Sequence, residues 1–268
     1  MKDFLKKAGQ GLKGAFDMLI YKSPKEIEKI KISNQIVAGI LTELEKEVRP
    51  GITTLYLNDV AEELACKKKA LPAFKGYKGY PYSLCTSVNN VVVHGLPSKK
   101  QLVEGDIISI DFGVLFGGYY GDSAITVPVG KISKSAKKLI LTTKESLYKG
   151  IEKALPGGRL SDISNAVQSH AESEGYSVVR VFVGHGIGSS LHEDPQIPNY
   201  GKPGIGIMLN AGMTIAIEPM VNEKGCEVEI LEDGWTAITK DGGLSAHFEH
   251  TIAITDKGPV ILSERIVS

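Results

Sequence analysis

Hydrophobic positions follow two periods along this chain, and the two periods alternate twice. Between residues 24 and 48, Ile27, Ile30, Ile36, Val37, Ile40, Leu41 and Leu44 fall on one face of a helix, with charged residues between them. Ser23-Pro24-Lys25-Glu26 has the form of a helix start: a capping side chain, Pro at the first helical position and Glu at the third. Pro50-Gly51 ends that helix, and a second is expected over 57–70, with Asn58 or a neighbour near its cap. A loop dense in aromatics, Gly76-Tyr77-Lys78-Gly79-Tyr80-Pro81, leads to strands at about 83–87, 91–94, 106–115 and 119–127. Gly117-Gly118 supplies the hairpin turn between the last two.

The order then repeats. A helix is expected over 134–153, ended by Pro156-Gly157 as Pro50-Gly51 ended the first. Leu160-Ser161-Asp162-Ile163 opens another and echoes Leu57-Asn58-Asp59-Val60. Strands follow at 177–183, 213–220, 226–230, 235–240 and 246–254. Helix, helix, strands, twice over, predicts an α+β protein with a central antiparallel sheet, in pseudo-repeats of about 24–130 and 134–256. Residues 23–268 read as a single domain. Residues 1–22 stand apart: Phe4, Ala8, Leu12, Phe16 and Leu19 recur at near-helical spacing among lysines. They read as an N-terminal amphipathic tail, either packed on the body or frayed at its glycines, with membrane or partner docking as the alternative.

Composition narrows the class. The chain has 268 residues with 31 basic against 31 acidic, a balance that gives no argument for a nucleic-acid partner. Three scattered cysteines, Cys66, Cys85 and Cys226, form no CxxC pair and suit a reduced, cytoplasmic protein. No apolar run approaches the roughly 20 residues of a membrane span, and Lys13 with the glycines around it interrupts any signal-peptide core.

The repeat carries the chemistry. Gly105-Asp-Ile-Ile-Ser-Ile-Asp111 matches Gly212-Met-Thr-Ile-Ala-Ile-Glu218. Upstream, Val91-Val92-Val93-His94-Gly95 answers Phe182-Val183-Gly184-His185-Gly186, and downstream Asp122-Ser-Ala-Ile-Thr-Val127 answers Glu249-His-Thr-Ile-Ala-Ile254. A duplicated unit with a pseudo-twofold axis brings equivalent positions together. Asp111 and Asp122 should then lie roughly opposite one another across the hairpin and meet Glu218 and Glu249. Four carboxylates in one interior repel and raise one another's pKa values unless cations neutralise them, which predicts a metal site between the halves. By the same logic His185 is a ligand, whereas His94 and His192 read as catalytic or supporting groups.

Other motifs fail. Gly184-His185-Gly186-Ile187-Gly188 lacks the dinucleotide spacing, and Pro195 and Pro198 spoil the helix that would receive phosphates. Leu191-His192-Glu193-Asp194-Pro195-Gln196 is no HExxH. Nothing marks Cys85 as an activated nucleophile, and no serine sits in a GxSxG elbow.

The same residues resemble the type I methionine aminopeptidase family. The match runs in order through His94-Gly95-Leu96-Pro97, Asp111, Gly121-Asp122-Ser123, Gly184-His185-Gly186-Ile187-Gly188, Leu191-His192-Glu193, Ile217-Glu218-Pro219-Met220, Asp233-Gly234-Trp235-Thr236 and Phe248-Glu249-His250-Thr251. The resemblance implies a pita-bread fold, two pseudo-symmetric halves each with helices packed on a shared antiparallel sheet. It implies Asp111, Asp122, His185, Glu218 and Glu249 as ligands of two divalent ions, with Asp122 and Glu249 bridging. One histidine among carboxylates suits Co, Mn, Fe(II) or Zn. Glu218 becomes the proton shuttle, His192 the oxyanion donor and His94 the partner of the scissile amide. Tyr77, Tyr80, Cys85, Leu191 and Trp235 would line the methionine pocket, and Asn89, Val91 and Ser245 match a structural monovalent-cation site. The implied substrates are nascent polypeptide N-termini whose second residue is small, with the ribosome a candidate partner and the enzyme a cytoplasmic monomer. Leu191 departs from the family, where Phe is frequent, and the tail has no counterpart in minimal bacterial forms. A proline-specific pita-bread peptidase and a metal-free binding module are the rival readings. The first usually carries a large N-terminal domain, and the second normally loses ligands.

Overall fold

The computed structural model describes residues 19–265, so most of the expected tail lies outside the described residues. Helix α1 spans Pro24–Glu47 and α2 Thr54–Lys67; α3 spans Lys134–Glu152 and α4 Leu160–Ser173. The first begins as its sequence dictates. The Ser23 Oγ accepts from the Glu26 N–H at 3.4 Å, and the Glu26 carboxylate accepts from the Ser23 N–H at 2.8 Å, closing a capping box. Helix α2 starts earlier than expected, because Thr53 rather than Asn58 supplies the cap, accepting from the Tyr56 N–H at 3.1 Å. Asn58 is buried instead and holds the start of the strand Leu84–Val88, its Oδ1 accepting from the Ser83 N–H at 3.0 Å and the Leu84 N–H at 3.3 Å.

The described residues also form fifteen strands. In chain order they are β1 Leu71–Pro72, β2 Leu84–Val88, β3 Val91–Val93, β4 Ile107–Phe116, β5 Tyr119–Pro128, β6 Ser177–Val178, β7 Gly184–Gly186, β8 Glu193–Ile197, β9 Thr214–Ile217, β10 Met220–Asn222, β11 Val228–Ile230, β12 Ala237–Thr239, β13 Ser245–His247, β14 Glu249–Thr255 and β15 Gly258–Ile261. Nine strands make one antiparallel sheet in the order β1-β4-β5-β14-β9-β7-β8, with β2 also on β4 and β15 on β14. The seam between the two repeats is the β5–β14 pair, so the halves do share one sheet. Two three-stranded sheets, β13-β10-β6 and β11-β12-β3, flank it.

Several expected strands are shorter. The run 213–220 breaks at Glu218-Pro219: β9 belongs to the large sheet and β10 to a small one. The run 246–254 breaks at Phe248 in the same way, β13 pairing β10 and β14 pairing β9. The run 177–183 keeps its strand only to Val178, before the chain turns toward β7. By contrast the β4–β5 hairpin is unbroken over ten residues a side.

The core packs the helices on the large sheet. Leu41, Leu44, Leu57, Ile107, Ile110, Phe112, Leu139, Ile163, Ile215 and Ile252 are fully buried in one apolar cluster. Helix α1 lies directly on β5. A Cβ at Gly121 would come within 2.6 Å of the Asn34 backbone nitrogen, so only glycine admits that approach. Asn34 and Ser33 use it: Asn34 Oδ1 accepts from the Asp122 N–H at 3.2 Å, and Ser33 Oγ donates to the Tyr119 carbonyl at 2.9 Å.

Candidate metal centre and substrate cavity

Strand register sets the site. Cys85 pairs with Asp111, Asp111 with Ala124 and Ala124 with Glu249, a single row across β2, β4, β5 and β14. Asp122 pairs with Gly113, two residues from that row, so the aspartates are diagonal neighbours rather than opposite. Side chains two apart share a sheet face, which puts Asp122 beside Asp111 and Glu249. On the other side His185 pairs with Ala216, two before Glu218. All five expected ligands therefore project from one face. Two hydroxyls clamp the seam reciprocally: Ser123 Oγ donates to the Glu249 carbonyl at 2.7 Å, and Thr251 Oγ1 to the Asp122 carbonyl at 2.8 Å.

The resulting cluster is short of partners. Ligand atoms of Asp122, His185 and Glu249 lie within 4.8 Å of one another, and His185 Nε2 is 3.5 Å from Glu218 Oε1. Asp111 Oδ1, Asp122 Oδ1 and Glu249 Oε1 are buried without a hydrogen bond. Burial pushes Asp111 up to about 7. Burial first, and neighbouring carboxylates second, push Asp122, Glu218 and Glu249 well above the usual range. Burial also holds His185 neutral, its pKa down at about 4. Its Nδ1 bonds the Gly186 carbonyl at 2.9 Å, and a carbonyl can only accept, so the proton sits on Nδ1 and the Nε2 lone pair faces the carboxylates. Orphaned carboxylate oxygens gathered round an unprotonated imidazole fit divalent cations and little else.

Above the cluster opens a cavity of about 450 Å³. Every residue expected to be catalytic or to line the pocket is on its wall: His94, His192, Glu218, Tyr77, Tyr80, Cys85, Leu191 and Trp235. Tyr80 and Trp235 meet edge to face with ring centroids 5.2 Å apart, and the Tyr80 hydroxyl is fixed on the Leu84 and Gly95 carbonyls at 3.1 Å each. Burial raises the Cys85 thiol well above its normal pKa, so it is inert lining. His94 sits in a left-handed backbone conformation, φ 58°, edge-on to Phe182, with its Nδ1 unbonded. His192 stands at the exposed mouth, its ring 4.2 Å from that of His185, and its Nδ1 is hydrogen-bonded to the Tyr77 hydroxyl at 2.8 Å. The protein around it, and then His185, press its pKa well down.

Asn89, Val91 and Ser245 lie apart from this cavity. Ser245 N–H donates to the Asn89 carbonyl at 2.9 Å, and Val91 opens β3 two residues after Asn89.

Among the residues that escaped the sequence reading, two are on the cavity wall and one lies beside Glu218. Phe74 and Phe182 line the cavity. Phase on a strand was the available signal for the third: His247 is two residues before Glu249, buried, with both ring nitrogens unbonded and Nε2 3.9 Å from Glu218 Oε2.

A buried carboxylate set beneath an aromatic cavity, on a duplicated antiparallel sheet, defines a metal-dependent hydrolase. Comparison with known proteins agrees: residues 28–256 match the model of metallopeptidase family M24. The chain is 53% identical over 246 residues to a methionine aminopeptidase of Clostridium perfringens, covering 92% of this chain and 99% of that one. Methionine aminopeptidase 1 of Bacillus subtilis is likewise 53% identical, at the same coverage of this chain. The crystal structure of the Thermotoga maritima methionine aminopeptidase superposes with a TM-score of 0.91 at 50% identity, over 92% of this chain and 100% of that one. The Pyrococcus furiosus prolidase shares the fold, with a TM-score of 0.77 at 24% identity. The chain belongs to the M24 metallopeptidases, among the methionine aminopeptidases of type I, enzymes of the pita-bread fold that use divalent metal ions.

Proposed function

We propose that this enzyme removes the initiator methionine from nascent polypeptides whose second residue is small. The observation that carries the reading is one sheet face of carboxylates opening directly into an aromatic cavity. Asp111, Asp122, His185, Glu218 and Glu249 would hold two divalent ions, drawn from Co, Mn, Fe(II) or Zn by availability. When bound, such ions polarise a carbonyl and make water a nucleophile near neutral pH.

The chain's own groups supply the rest. Tyr80, Trp235, Cys85 and Leu191 enclose the methionine side chain, whose thioether gains about 0.3–1.5 kcal/mol from each good aromatic contact. Glu218 takes the proton of the attacking water and passes it to the leaving amine. His94 hydrogen-bonds the scissile amide. A Tyr77 hydroxyl donating to Nδ1 leaves the proton of neutral His192 on Nε2, where it can meet the developing oxyanion. Asn89, Val91 and Ser245 would bind one structural monovalent cation. The reading also makes the enzyme a cytoplasmic monomer that meets its substrates as they leave the ribosome. Among the described residues no helix is long and apolar enough to cross a membrane.

Turnover of Met-Ala-Ser against Ala-Pro-Ala, with metal returned to chelated enzyme, tests this. Metal-dependent release of methionine alone is expected. Cleavage of the proline peptide, or full activity in chelator, would sink it.

A further inference from the structure

The segment entering α1 reaches the turn beside the site. Lys22 Nζ forms an ion pair with Glu193, and their side chains are only 3% and 4% exposed. Desolvating two charges is costly, and an apolar pair of similar volume packs in such a place at least as well, so the pair is weak evidence for stability and better evidence for fixed geometry. What it fixes is the turn from β7 to β8. Glu193 Oε1 accepts from the Ser190 N–H at 3.1 Å and the Ser189 hydroxyl at 3.3 Å, leaving Oε2 for Lys22. Gly188 lies under the pair: a Cβ there would sit 2.6 Å from Lys22 Cε and 2.7 Å from Glu193 Oε1. Lys22 is itself anchored, its N–H donating to the Gly212 carbonyl at 2.7 Å and its Nζ to the Ile20 carbonyl at 3.1 Å. Gly212 starts the run through β9 to Glu218. His192 immediately precedes Glu193 in the chain, and its exposed ring contacts Tyr77 and His185 on the cavity side.

We propose that Lys22 is a positioning residue for His192: through Glu193 it ties the backbone bearing the imidazole to the backbone leading to Glu218. The proposal rests on the reading of His192 as a group that meets substrate. A lysine ahead of the first helix would thus act on kcat, although it touches no reacting atom.

The test uses the full-length, metal-loaded chain on Met-Ala-Ser. A misplacement near 1 Å costs up to about 10²-fold in rate, so Lys22→Met and Glu193→Gln should each lower kcat roughly 10- to 100-fold while KM and bound metal change by less than about threefold. Lys22→Arg should recover most of the loss. In a His192→Ala background, Lys22→Met should add nothing, since both act through one group. If Lys22→Met does not fold, the near-isosteric Glu193→Gln carries the test. Wild-type kcat in either variant, even with a lowered melting temperature, overturns the proposal, and so does loss of bound metal. Wild-type kcat in His192→Ala alone defeats instead the reading of His192 on which the proposal rests.

Discussion

The two halves reach the same point by different backbones. In the first, Asp111 and Asp122 sit inside an unbroken hairpin, ten residues a side, and the sheet's own register aims them. In the second, Glu218 and Glu249 sit at strand breaks. Glu218 is the residue after β9 and precedes Pro219; Glu249 opens β14 immediately after Phe248. At both breaks the chain passes between the large sheet and the β10–β13 pair, where Met220 lies opposite His247. Shorter aspartates stand on the rigid strands and longer glutamates where the backbone turns away. The comparison teaches that pseudo-symmetry is kept at the carboxylates and abandoned in the strands that carry them.

The sharpest way to break the comparison is to remove one carboxylate from each half. Asp111→Asn and Glu249→Gln should each abolish peptide turnover and lower bound metal, with far-ultraviolet circular dichroism unchanged. If only one of the two loses metal, the halves do not contribute to one cluster.

Next in size is the pair of neighbouring imidazoles. His192→Ala should retain metal and KM but lose about 10²–10³ in kcat, the usual loss for one oxyanion donor. His185→Ala should lose metal affinity instead. Activity of His192→Ala that returns in excess metal would make it a ligand and erase the distinction.

The difference in backbone also explains what could be read from sequence. The hairpin was legible to within a residue because alternation, β-branched side chains and Gly117-Gly118 all agree along it. The four carboxylates and His185 were legible as one group because the repeat preserves their positions. The breaks at Pro219 and Phe248 were not, since each run stays rich in strand-forming residues across its break and a strand that changes sheets keeps its composition. Pro219 carried the one local hint. The tyrosine on His192 Nδ1 and the lysine on Glu193 join segments 115 and 171 residues apart, and pairings at that range leave no spacing to detect. His247 was within reach of period-two phase, but only once the strand ending there had been placed.

Protons compete with a cation for the site in both halves. Asp111, at about 7, and the more strongly raised Asp122, Glu218 and Glu249 hold protons that a cation must displace. The metal-free fold then binds more protons than the loaded one, so apparent metal affinity rises with pH. One displaced proton is worth about 1.4 kcal/mol, a factor of roughly ten, per pH unit below the group's pKa. His185, at about 4, is already unprotonated above pH 5 and adds no slope there. Titration calorimetry with Mn(II) at pH 6 and 7 should therefore show affinity rising about tenfold or more, with protons released. A pH-independent affinity would contradict the burial of these groups.

The smallest effect separates the halves by where each uses glycine for helix packing. Gly121 is on a strand, and a Cβ there meets backbone: Asn34 N and Ser33 C at 2.6 Å and Ser33 O at 2.8 Å. Neither α1 nor β5 can yield without moving Asp122, whose N–H is bonded to Asn34. Gly150 is on a helix, α3, and a Cβ there meets side chains: Val167 Cγ2 at 2.8 Å and Ile163 Cγ2 at 3.3 Å. Val167 is buried and must shift, but side chains have more room to do so than backbone, and alanine in a helix interior gains roughly 0.8–1 kcal/mol over glycine, offsetting much of the crowding. Gly121→Ala should cost about 1–3 kcal/mol as an overpacked core does. At roughly 2–4 °C per kcal/mol that is a clear drop in melting temperature. It should also lower kcat through Asp122. Gly150→Ala should leave both close to wild type. Equal losses in the two variants would show that the helices press on the sheet alike in both halves, and that the asymmetry ends at the strands.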